Sequence, residues 1–272
     1  MDIKAADVAK LRAMTGAGMM DCKKALVEAN GDFSRAQDII REKGKLVAAK
    51  RADRTATEGV VVSKIVGQKG YMICLACETD FVAKNAEFVN SAKEILDIAV
   101  EADAADIDAL KAYVSGGKTV AEIVTEKSGQ TGEKVELAYY GKIEAPKCVT
   151  YIHMNNKLGT LIGFNKDIDA EVAKDVAMQA AAMAPISIDK DDCDPKVVEH
   201  ERMIGREQAR QEGKPEAMLD KIADGKVNKF LNENTLLNQA LVKNNKMTVR
   251  AYIQSADKEA TVVAYKRFSL ND

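Results

Sequence analysis

Several features that would assign the chain to a familiar class are missing from its 272 residues. No apolar run approaches the roughly 20 residues that a membrane-spanning helix needs, and the N-terminal segment lacks the uninterrupted apolar centre of a signal peptide. The five cysteines are an odd number without regular spacing, which argues against a disulfide framework. We therefore expect a cytoplasmic protein without a membrane segment.

An excess of one charge sign is also missing. The 40 Lys and Arg residues are balanced by 42 Asp and Glu residues, and the net charge is -2. We therefore expect no direct binding of nucleic acid or membrane, except through a local patch. Residues 41–54 hold six basic and two acidic side chains but no aromatic residue on which a base could stack. We interpret them as a helical or flexible linker, with an RNA-binding strip as the alternative.

Residues that usually carry enzyme chemistry are scarce. The two histidines, His153 and His200, have no neighbours at the spacing of a zinc site or a catalytic triad. Cys74 and Cys77 lie three residues apart on a predicted strand, so their side chains should point to opposite faces. We expect both to be buried apolar residues rather than a metal or thiol site. The sequence therefore predicts no enzyme activity, no catalytic residue, no metal and no cofactor.

Helical periodicity dominates residues 1–55. Apolar residues recur at helical spacing, and the segment is interrupted by TGAG at 15–18, by Asn30-Gly31 and by Gly44. Glycine tolerates the backbone angles of a helix end, so these positions predict three short helices followed by the basic linker. Such a module has a small core, so we expect it to dock a partner or to lean on the rest of the chain.

Two β-β-α patterns follow this module. In each, two apolar strands joined by a short turn precede an amphipathic helix. The elements are expected at 60–66, 71–78 and about 85–99 in the first copy, and at 148–154, 158–164 and about 169–184 in the second. A further strand is expected at 133–145. We predict an α+β fold with small antiparallel sheets, divided into core subdomains at 56–140 and 141–272.

The C-terminal part of the chain predicts a projecting arm. Residues of about 195–233 form a mostly charged helical pattern that is split by Gly213 and Pro215, which predicts an antiparallel helical hairpin. We expect its thin apolar seam to consist of Val198, Met203, Met218, Leu219 and Ile222. The segments 247–253 and 260–268 have β character and are expected to rejoin the second sheet.

Two short stretches present apolar residues where a core does not require them. Met19 and Met20 begin a helix and, as adjacent residues, point about 100° apart, so one of them should be exposed and suited to docking. The alternative is that both cover the small core.

Phe81 leaves two possibilities open. Either Asp80 caps a helix and Phe81 joins the buried stripe of Phe88, or Asn85 is the cap and a loop presents Phe81.

Four stretches of sequence occur in an order that is typical of one family. They are TGAGMMDCKKALVEANGD at 15–32, CETDFVAKN at 77–85, Tyr151 and His153 before a glycine-containing strand, and GKPE at 213–216. In this order they resemble the bacterial translation elongation factor Ts family, and the resemblance covers essentially the whole chain. It implies an N-terminal ubiquitin-associated-like module, a core of two related subdomains and a coiled-coil hairpin.

The resemblance also implies a function. The family is the guanine-nucleotide exchange factor of elongation factor Tu, the GTPase that delivers aminoacyl-tRNA to the ribosome. It binds the GDP-bound and the nucleotide-free GTPase as a heterodimer or as a dimer of heterodimers. The residues that it assigns to the partner here are Thr79, Asp80, Phe81, Val82, Met19, Met20, Asp21 and His153. Of these, residues 79–82 would reach the GTPase domain and disturb its bound magnesium ion.

Two positions depart from the family pattern. Asn155, Asn156 and Lys157 stand where the family often has two glycines and an arginine, and Leu241 stands where it often has an aromatic residue. Asparagine tolerates the positive φ of a turn, so the turn should persist, but lysine lacks the planar fork of arginine. We therefore expect neither an arginine-type contact at Lys157 nor an aromatic contact at Leu241.

Overall fold

Three helices begin the fold. The computed structural model describes residues 3–271, starting with α1 (Ala5–Thr15), α2 (Met19–Glu28) and α3 (Phe33–Lys50). Gly16 ends α1 at φ 67°, and the Asp32 carboxylate begins α3 by accepting hydrogen bonds from two main-chain N–H groups. The three helices share a small buried core of Val8, Leu11, Cys22, Ala25, Leu26 and Ala36. The predicted three-helix module is confirmed.

The first antiparallel sheet has the strand order β1-β2-β5. Its region contains, in chain order, β1 (Glu58–Val66), β2 (Lys69–Cys77), α4 (Asp80–Ala83), α5 (Ala86–Ala102), α6 (Ile107–Ala112), β3 (Val114–Ser115), β4 (Lys118–Thr119), α7 (Val120–Thr131) and β5 (Glu136–Glu144). Thr119 and Glu122 form the capping box that begins α7. Because β5 continues to Glu144, the end of that strand suits a subdomain boundary better than residue 140, and the division of the chain stays a prediction.

The second sheet has the order β10-β7-β6. Its region contains β6 (Lys147–Ile152), β7 (Leu158–Phe164), α8 (Ala170–Met183), α9 (Pro195–Gln211), α10 (Leu219–Asn234), β8 (Ala240–Leu241), β9 (Asn244–Thr248), α11 (Val249–Ala256) and β10 (Val262–Ser269). The last strand pairs with β7, so the tail rejoins the second sheet as predicted. The prediction of β structure at 247–253 holds only for residues 247 and 248, at the end of β9, and is wrong for 249–253, because Thr248 caps α11 and Val249 and Ile253 are buried on one helical face.

The two sheets pack against each other between layers of helices. Apolar residues of both sheets meet in one shared cluster: Val61, Met72, Cys74, Ile143, Cys148 and Leu161. The outer face of the first sheet is covered by α5, α6 and α7, and the outer face of the second by α8 and α11. The central strands β2 and β7 are therefore buried on both faces, which explains their continuous apolar sequences.

A glycine that was expected to end a helix instead joins two helices. α3 was predicted to stop at Gly44 but continues to Lys50, so most of the basic linker is helical. Gly44 is buried, and it crosses Gly129 of α7 so closely that a Cβ on Gly129 would lie 2.5 Å from the Gly44 Cα atom. Glycine permits this close approach because it has no side chain.

The helical hairpin of α9 and α10 exists, but its seam differs from the prediction. The buried residues between the helices are mostly small: Gly205, Ala209, Leu219, Ala223 and Val227. Met203 and Met218, which were expected in the seam, are 61% and 49% exposed. Small residues let the two backbones approach closely, so the large side chains are displaced to the outside. Within residues 3–271, no helix has the length and apolarity to cross a membrane.

Candidate functional site

Phe81 lies on a single exposed helical turn. β2 ends at Cys77, α4 follows after Thr79, and the Asn85 side chain begins α5 by accepting a hydrogen bond from the Glu87 N–H at 2.7 Å. The Phe81 side chain is 84% exposed, whereas the buried stripe of α5 begins at Phe88. Placement of Phe81 on that stripe is therefore wrong, and the cap at Asn85 is confirmed. The connecting segment is a helical turn rather than a loop.

The turn that carries Phe81 is held by the segment after α7. The Thr79 hydroxyl accepts a long hydrogen bond from the Val82 N–H at 3.4 Å and donates one to Glu133 at 2.6 Å. The other oxygen of Glu133 accepts hydrogen bonds from the N–H groups of Glu78 and Thr79, at 3.1 and 3.0 Å. Val82 packs against the first core. Phe81 therefore projects from a fixed backbone.

Two acidic residues at the turn have pKa values that their partners lower. The pKa of Glu78 is lowered, first by the main-chain N–H of Lys134 at 2.6 Å and then by Arg51, whose nearest contact is 2.8 Å. The pKa of Asp80 is lowered mainly by its hydrogen bond to Lys84, at 2.6 Å. A carboxylate that is nearly half exposed, that of Asp80, thus lies directly beside the exposed ring of Phe81.

Both methionines at the start of α2 are exposed. Met19 is 46% exposed, Met20 is 64% exposed, and Met14 at the end of α1 is 52% exposed. The alternative in which both Met19 and Met20 cover the module's core is therefore wrong. The next residue, Asp21, forms an ion pair with Lys43 of α3. We refer to Met14, Met19 and Met20 as the methionine surface, and to residues 79–82 as the phenylalanine turn.

One cleft is lined by Met14 and Met19 of the first feature and by Val82 of the second. It has a volume of about 1460 Å³ and lies between the N-terminal module and the core. Met14 and Met19 line it from the module, and Val82, Asn85 and Phe88 line it from the core. The structure therefore places the two stretches that sequence analysis singled out, which are about 60 residues apart in the chain, around a single concave surface.

His153 lies elsewhere, in the turn between β6 and β7. Its ring Nδ1 atom is 3.0 Å from the Tyr151 hydroxyl, and it is exposed. Asn156 occupies the turn's positive φ at 56°, as expected of asparagine. Met154, at 92% the most exposed large apolar residue among those described, was missed by sequence analysis. The sequence feature that could have identified it is an apolar residue within a predicted turn, where no core covers the side chain.

The two positions that depart from the family pattern have internal roles. Lys157 donates a hydrogen bond to Glu58 at 2.6 Å, and each of these side chains is less than a quarter exposed. Leu241 is buried in the core of the second sheet. Both side chains are thus engaged within the chain.

The rival sites lack support in the geometry. Cys74 faces the cluster between the sheets and Cys77 faces the helices, which confirms that they lie on opposite faces of β2. Burial raises the pKa of each thiol to about 12, so neither is a nucleophile at neutral pH. Within residues 3–271, no group of three acidic, His or Cys residues is placed to hold a metal ion.

The basic segment 41–54 is largely neutralised by the protein itself. Four of its six cations form ion pairs within the chain: Arg41 with Glu126, Lys43 with Asp21, and Arg51 and Arg54 with Glu78. A strip for phosphate binding would keep its cations available, so this pairing disfavours the RNA-binding alternative.

Comparisons with known proteins agree on one family. The family model described as elongation factor TS matches residues 78–272. The chain is similar to proteins named elongation factor Ts from Porphyromonas gingivalis, 46% identical over 272 residues, and from Cytophaga hutchinsonii, 49% identical over 276 residues. A relative of the same name from Bacteroides thetaiotaomicron is 40% identical over 327 residues. These alignments cover at least 99% of this chain and 99% of each relative.

Proposed function

This chain belongs to the elongation factor Ts family and is a translation elongation factor, and from that premise we propose that it is the guanine-nucleotide exchange factor of elongation factor Tu. In this proposal it binds the GDP-bound GTPase, disturbs the magnesium and nucleotide site, and promotes the release of GDP. It supplies no catalytic residue and no cofactor, acts in the cytoplasm, and forms a heterodimer that can double into a dimer of heterodimers.

The exposed ring of Phe81 is the observation that carries the proposal. A phenylalanine side chain at 84% exposure forgoes the roughly 1.5–3 kcal/mol that burial would contribute. Its turn is nevertheless anchored through Thr79, Glu133 and the packed Val82, so the exposure is built into the fold. A rigid, projecting aromatic residue is the type of side chain that dominates binding energy when a partner encloses it.

Exchange of this kind requires binding energy rather than chemistry. A magnesium ion in a GTPase bridges the protein and the phosphates of the nucleotide and offsets their charge. We propose that residues 79–82 enter beside this ion, so that Phe81 separates elements of the GTPase and the Asp80 carboxylate adds unfavourable charge near the phosphates. If this protein binds the nucleotide-free GTPase more tightly than the GDP-bound GTPase, it must weaken the affinity of the GTPase for GDP by the same ratio.

The remaining predicted contacts suit a partner that is held at several points. We propose that Met19, Met20 and Asp21 dock on the same GTPase domain as the phenylalanine turn, because Met19 and Val82 line one cleft. His153, in the separate β6–β7 turn, would contact a different part of the partner. The fully exposed neighbour Met154 supports a contact at this turn, since flexible thioethers suit adaptable interfaces.

The test is the release of labelled GDP from purified elongation factor Tu. We expect the wild-type chain at micromolar concentration to accelerate release, and Phe81→Ala to lower that acceleration at least about tenfold, as is typical of an interface hot spot. The matched control is Val66→Ala, because Val66 is also exposed but lies at the end of β1 beside the β1–β2 turn, whereas α4 follows the opposite end of β2. The Val66 variant should match the wild type.

No acceleration by the wild-type chain would contradict the proposed function. Equal losses in the Phe81 and Val66 variants would contradict the assignment of the site to the phenylalanine turn, because a general effect on the fold would then explain both.

A further inference from the structure

A short segment that spans the C-terminal end of α7 contacts both sides of the cleft. It consists of residues 129–134, and we refer to it as the bracket. Its first two residues touch the N-terminal module, which carries the methionine surface, and its last two touch residues 78 and 79, where the phenylalanine turn begins. The proposed function assigns no role to the bracket.

At one end, the bracket determines where α3 lies. A Cβ on Gly129 would lie 2.5 Å from the Cα atom of Gly44, which is closer than real Cβ atoms approach. The reverse change is tolerated, because a Cβ on Gly44 would meet the Gly129 Cα atom at 3.6 Å, an ordinary van der Waals distance. The crossing of α3 and α7 therefore depends on glycine at residue 129 far more than on glycine at residue 44.

The next residue fixes the turn that leads to the methionine surface. The side-chain amide of Gln130 donates a hydrogen bond to the main-chain carbonyl of Thr15 at 2.6 Å. Thr15 is the last residue of α1, where carbonyl groups lack partners within the helix. Gly16 follows at φ 67°, packed beneath the Gln130 side chain, and α2 begins with Met19 shortly afterwards.

At the other end, the bracket holds the phenylalanine turn. The Glu133 carboxylate accepts three hydrogen bonds, two from main-chain N–H groups and one from the Thr79 hydroxyl. The Lys134 N–H donates to Glu78 at 2.6 Å. These contacts determine the position of the backbone from which Phe81 projects.

The bracket itself is closed and attached to the core. Gly132 ends α7 at φ 71°, and the buried Ser128 hydroxyl accepts a hydrogen bond from the Val135 N–H at 3.0 Å. Val135 is buried in the core of the first sheet. The residues on both sides of the segment are therefore attached to the same core, that of the first sheet.

We propose that the bracket is a positioning element that holds the methionine surface and the phenylalanine turn at a fixed separation before the partner binds. This inference rests on the proposed function, because it assumes that one partner contacts both features. Two contacts at a fixed separation cooperate, since the second forms within a complex that is already docked. If the separation varied in the free protein, part of the binding free energy would be spent on fixing it, and the affinity for the partner would be lower.

The test compares glycine variants at the α3–α7 crossing in the GDP-release assay. Gly129→Ala and Gln130→Ala should raise the concentration of this chain that gives half-maximal release about tenfold, with little change in the maximal rate. Gly44→Ala should have a much smaller effect. Gly225→Ala, in α10 where an added Cβ meets no atom within 4 Å, should match the wild type and serves as the control for a helical glycine.

A distance measurement separates positioning from simple loss of stability. Spin labels on Met20→Cys and Lys84→Cys report the separation across the cleft, because both sites are exposed whereas the five native cysteines are buried. The wild-type background should give one narrow distance distribution. Gly129→Ala and Gln130→Ala should each broaden or shift it, and Gly44→Ala and Gly225→Ala should leave it narrow.

The possible failures are distinguishable. If the wild-type chain does not accelerate GDP release, the proposed function fails. If the wild type is active but both bracket variants keep its half-maximal concentration, the bracket inference alone is overturned. It is also overturned if the label distances are unchanged in the bracket variants, because the loss would then come from direct contacts or from general instability. A broadened distance with a raised half-maximal concentration supports it.

Discussion

The two β-β-α units share their core and differ in the segment that leaves it. In each unit, the second strand lies at the centre of a three-stranded sheet and is followed by a helix that covers the sheet. In the first unit, the connection from Glu78 to Asn85 contains a complete helical turn with Phe81 at its surface. In the second unit, the connection from Asn165 to Asp169 contains no helix. The sheet and helix therefore do not require the phenylalanine turn.

The most exposed apolar residue of each unit, Phe81 or Met154, also lies at a different end of its hairpin. The first unit presents Phe81 after its second strand, and its β1–β2 turn around Gly67 is minimal. The second unit presents Met154 in the turn between its strands, while the segment after β7 is tied down by hydrogen bonds of Asn165 to residues 259 and 261. The two units thus share their buried elements and differ in the connections between them.

The largest predicted difference in stability is between the alanine variants of two phenylalanines. Phe164 ends the central strand of the second unit and is fully buried, whereas Phe81 is exposed at the corresponding exit of the first unit. We expect Phe164→Ala to lower the free energy of unfolding by about 3–5 kcal/mol, as for other core aromatics. Phe81→Ala should change it by less than about 0.5 kcal/mol. Urea unfolding followed by circular dichroism measures both.

The same pair tests whether the two units really differ in role. Phe164→Ala should reduce exchange only in proportion to the fraction that is unfolded. A large loss of stability in Phe81→Ala would show that its ring packs against the protein in solution. The two connections would then not differ in whether they expose an aromatic side chain.

Local signals in the sequence predicted much of this architecture. Turn residues between short apolar runs located both hairpins, and of the two caps considered before the stripe of Phe88, Asn85 is the one that begins α5 in the structure. The order of elements was enough to predict the two β-β-α units. These features depend on residues near each other in the chain, which is why they could be inferred without the fold.

The features that escaped prediction depend on distant neighbours. Gly44 was expected to end a helix, because a helix-ending glycine and a glycine at a close helix crossing look alike until Gly129 is placed beside it. The α9–α10 seam was assigned to large apolar residues, although the helices approach through Gly205 and Ala209. The exposure of Phe81 could not be decided from spacing, because one turn of helix preserves the periodicity of the buried stripe.

A second contrast concerns the residue that directly follows each central strand. Glu78 follows β2 and is held as a carboxylate, whereas Asn165 follows β7 and is held as a neutral amide. At neutral pH, we expect Glu78→Gln and Asn165→Ala each to lower the free energy of unfolding by about 1 kcal/mol, the usual net value of a hydrogen bond. The two effects should respond differently to acid.

The direction of the pH effect follows from the lowered pKa of Glu78. The Lys134 N–H, and then Arg51, favour the charged form in the folded chain, so the unfolded chain takes up this proton at a higher pH. The stabilisation by Glu78 is complete above its unfolded-state pKa and is lost as the pH falls through its lower folded-state pKa. The difference between wild type and Glu78→Gln should therefore shrink with acid, while the Asn165→Ala difference stays nearly constant.

Urea unfolding at a series of pH values, down to the lowest at which the chain stays folded, measures both differences. A Glu78→Gln difference that is independent of pH would contradict the charged network at the phenylalanine turn. A strong pH dependence for Asn165→Ala would instead indicate that the nearby acidic residues, rather than the amide, hold the second connection.

The smallest predicted contrast lies in the two hairpin turns, where different residues occupy the same backbone region. Gly67 has φ 59° and Asn156 has φ 56°, and an added Cβ at Gly67 would meet no atom within 4 Å. Steric space is therefore available, and only the backbone conformation selects the residue.

Gly67→Ala and Asn156→Ala should each cost about 1 kcal/mol of unfolding free energy, because alanine disfavours left-handed angles. The exchanges Gly67→Asn and Asn156→Gly should cost less than about half of that, since both residues tolerate positive φ. Urea unfolding of the four variants checks this, and a larger cost for Asn156→Gly than for Asn156→Ala would show that backbone conformation is not what selects asparagine there.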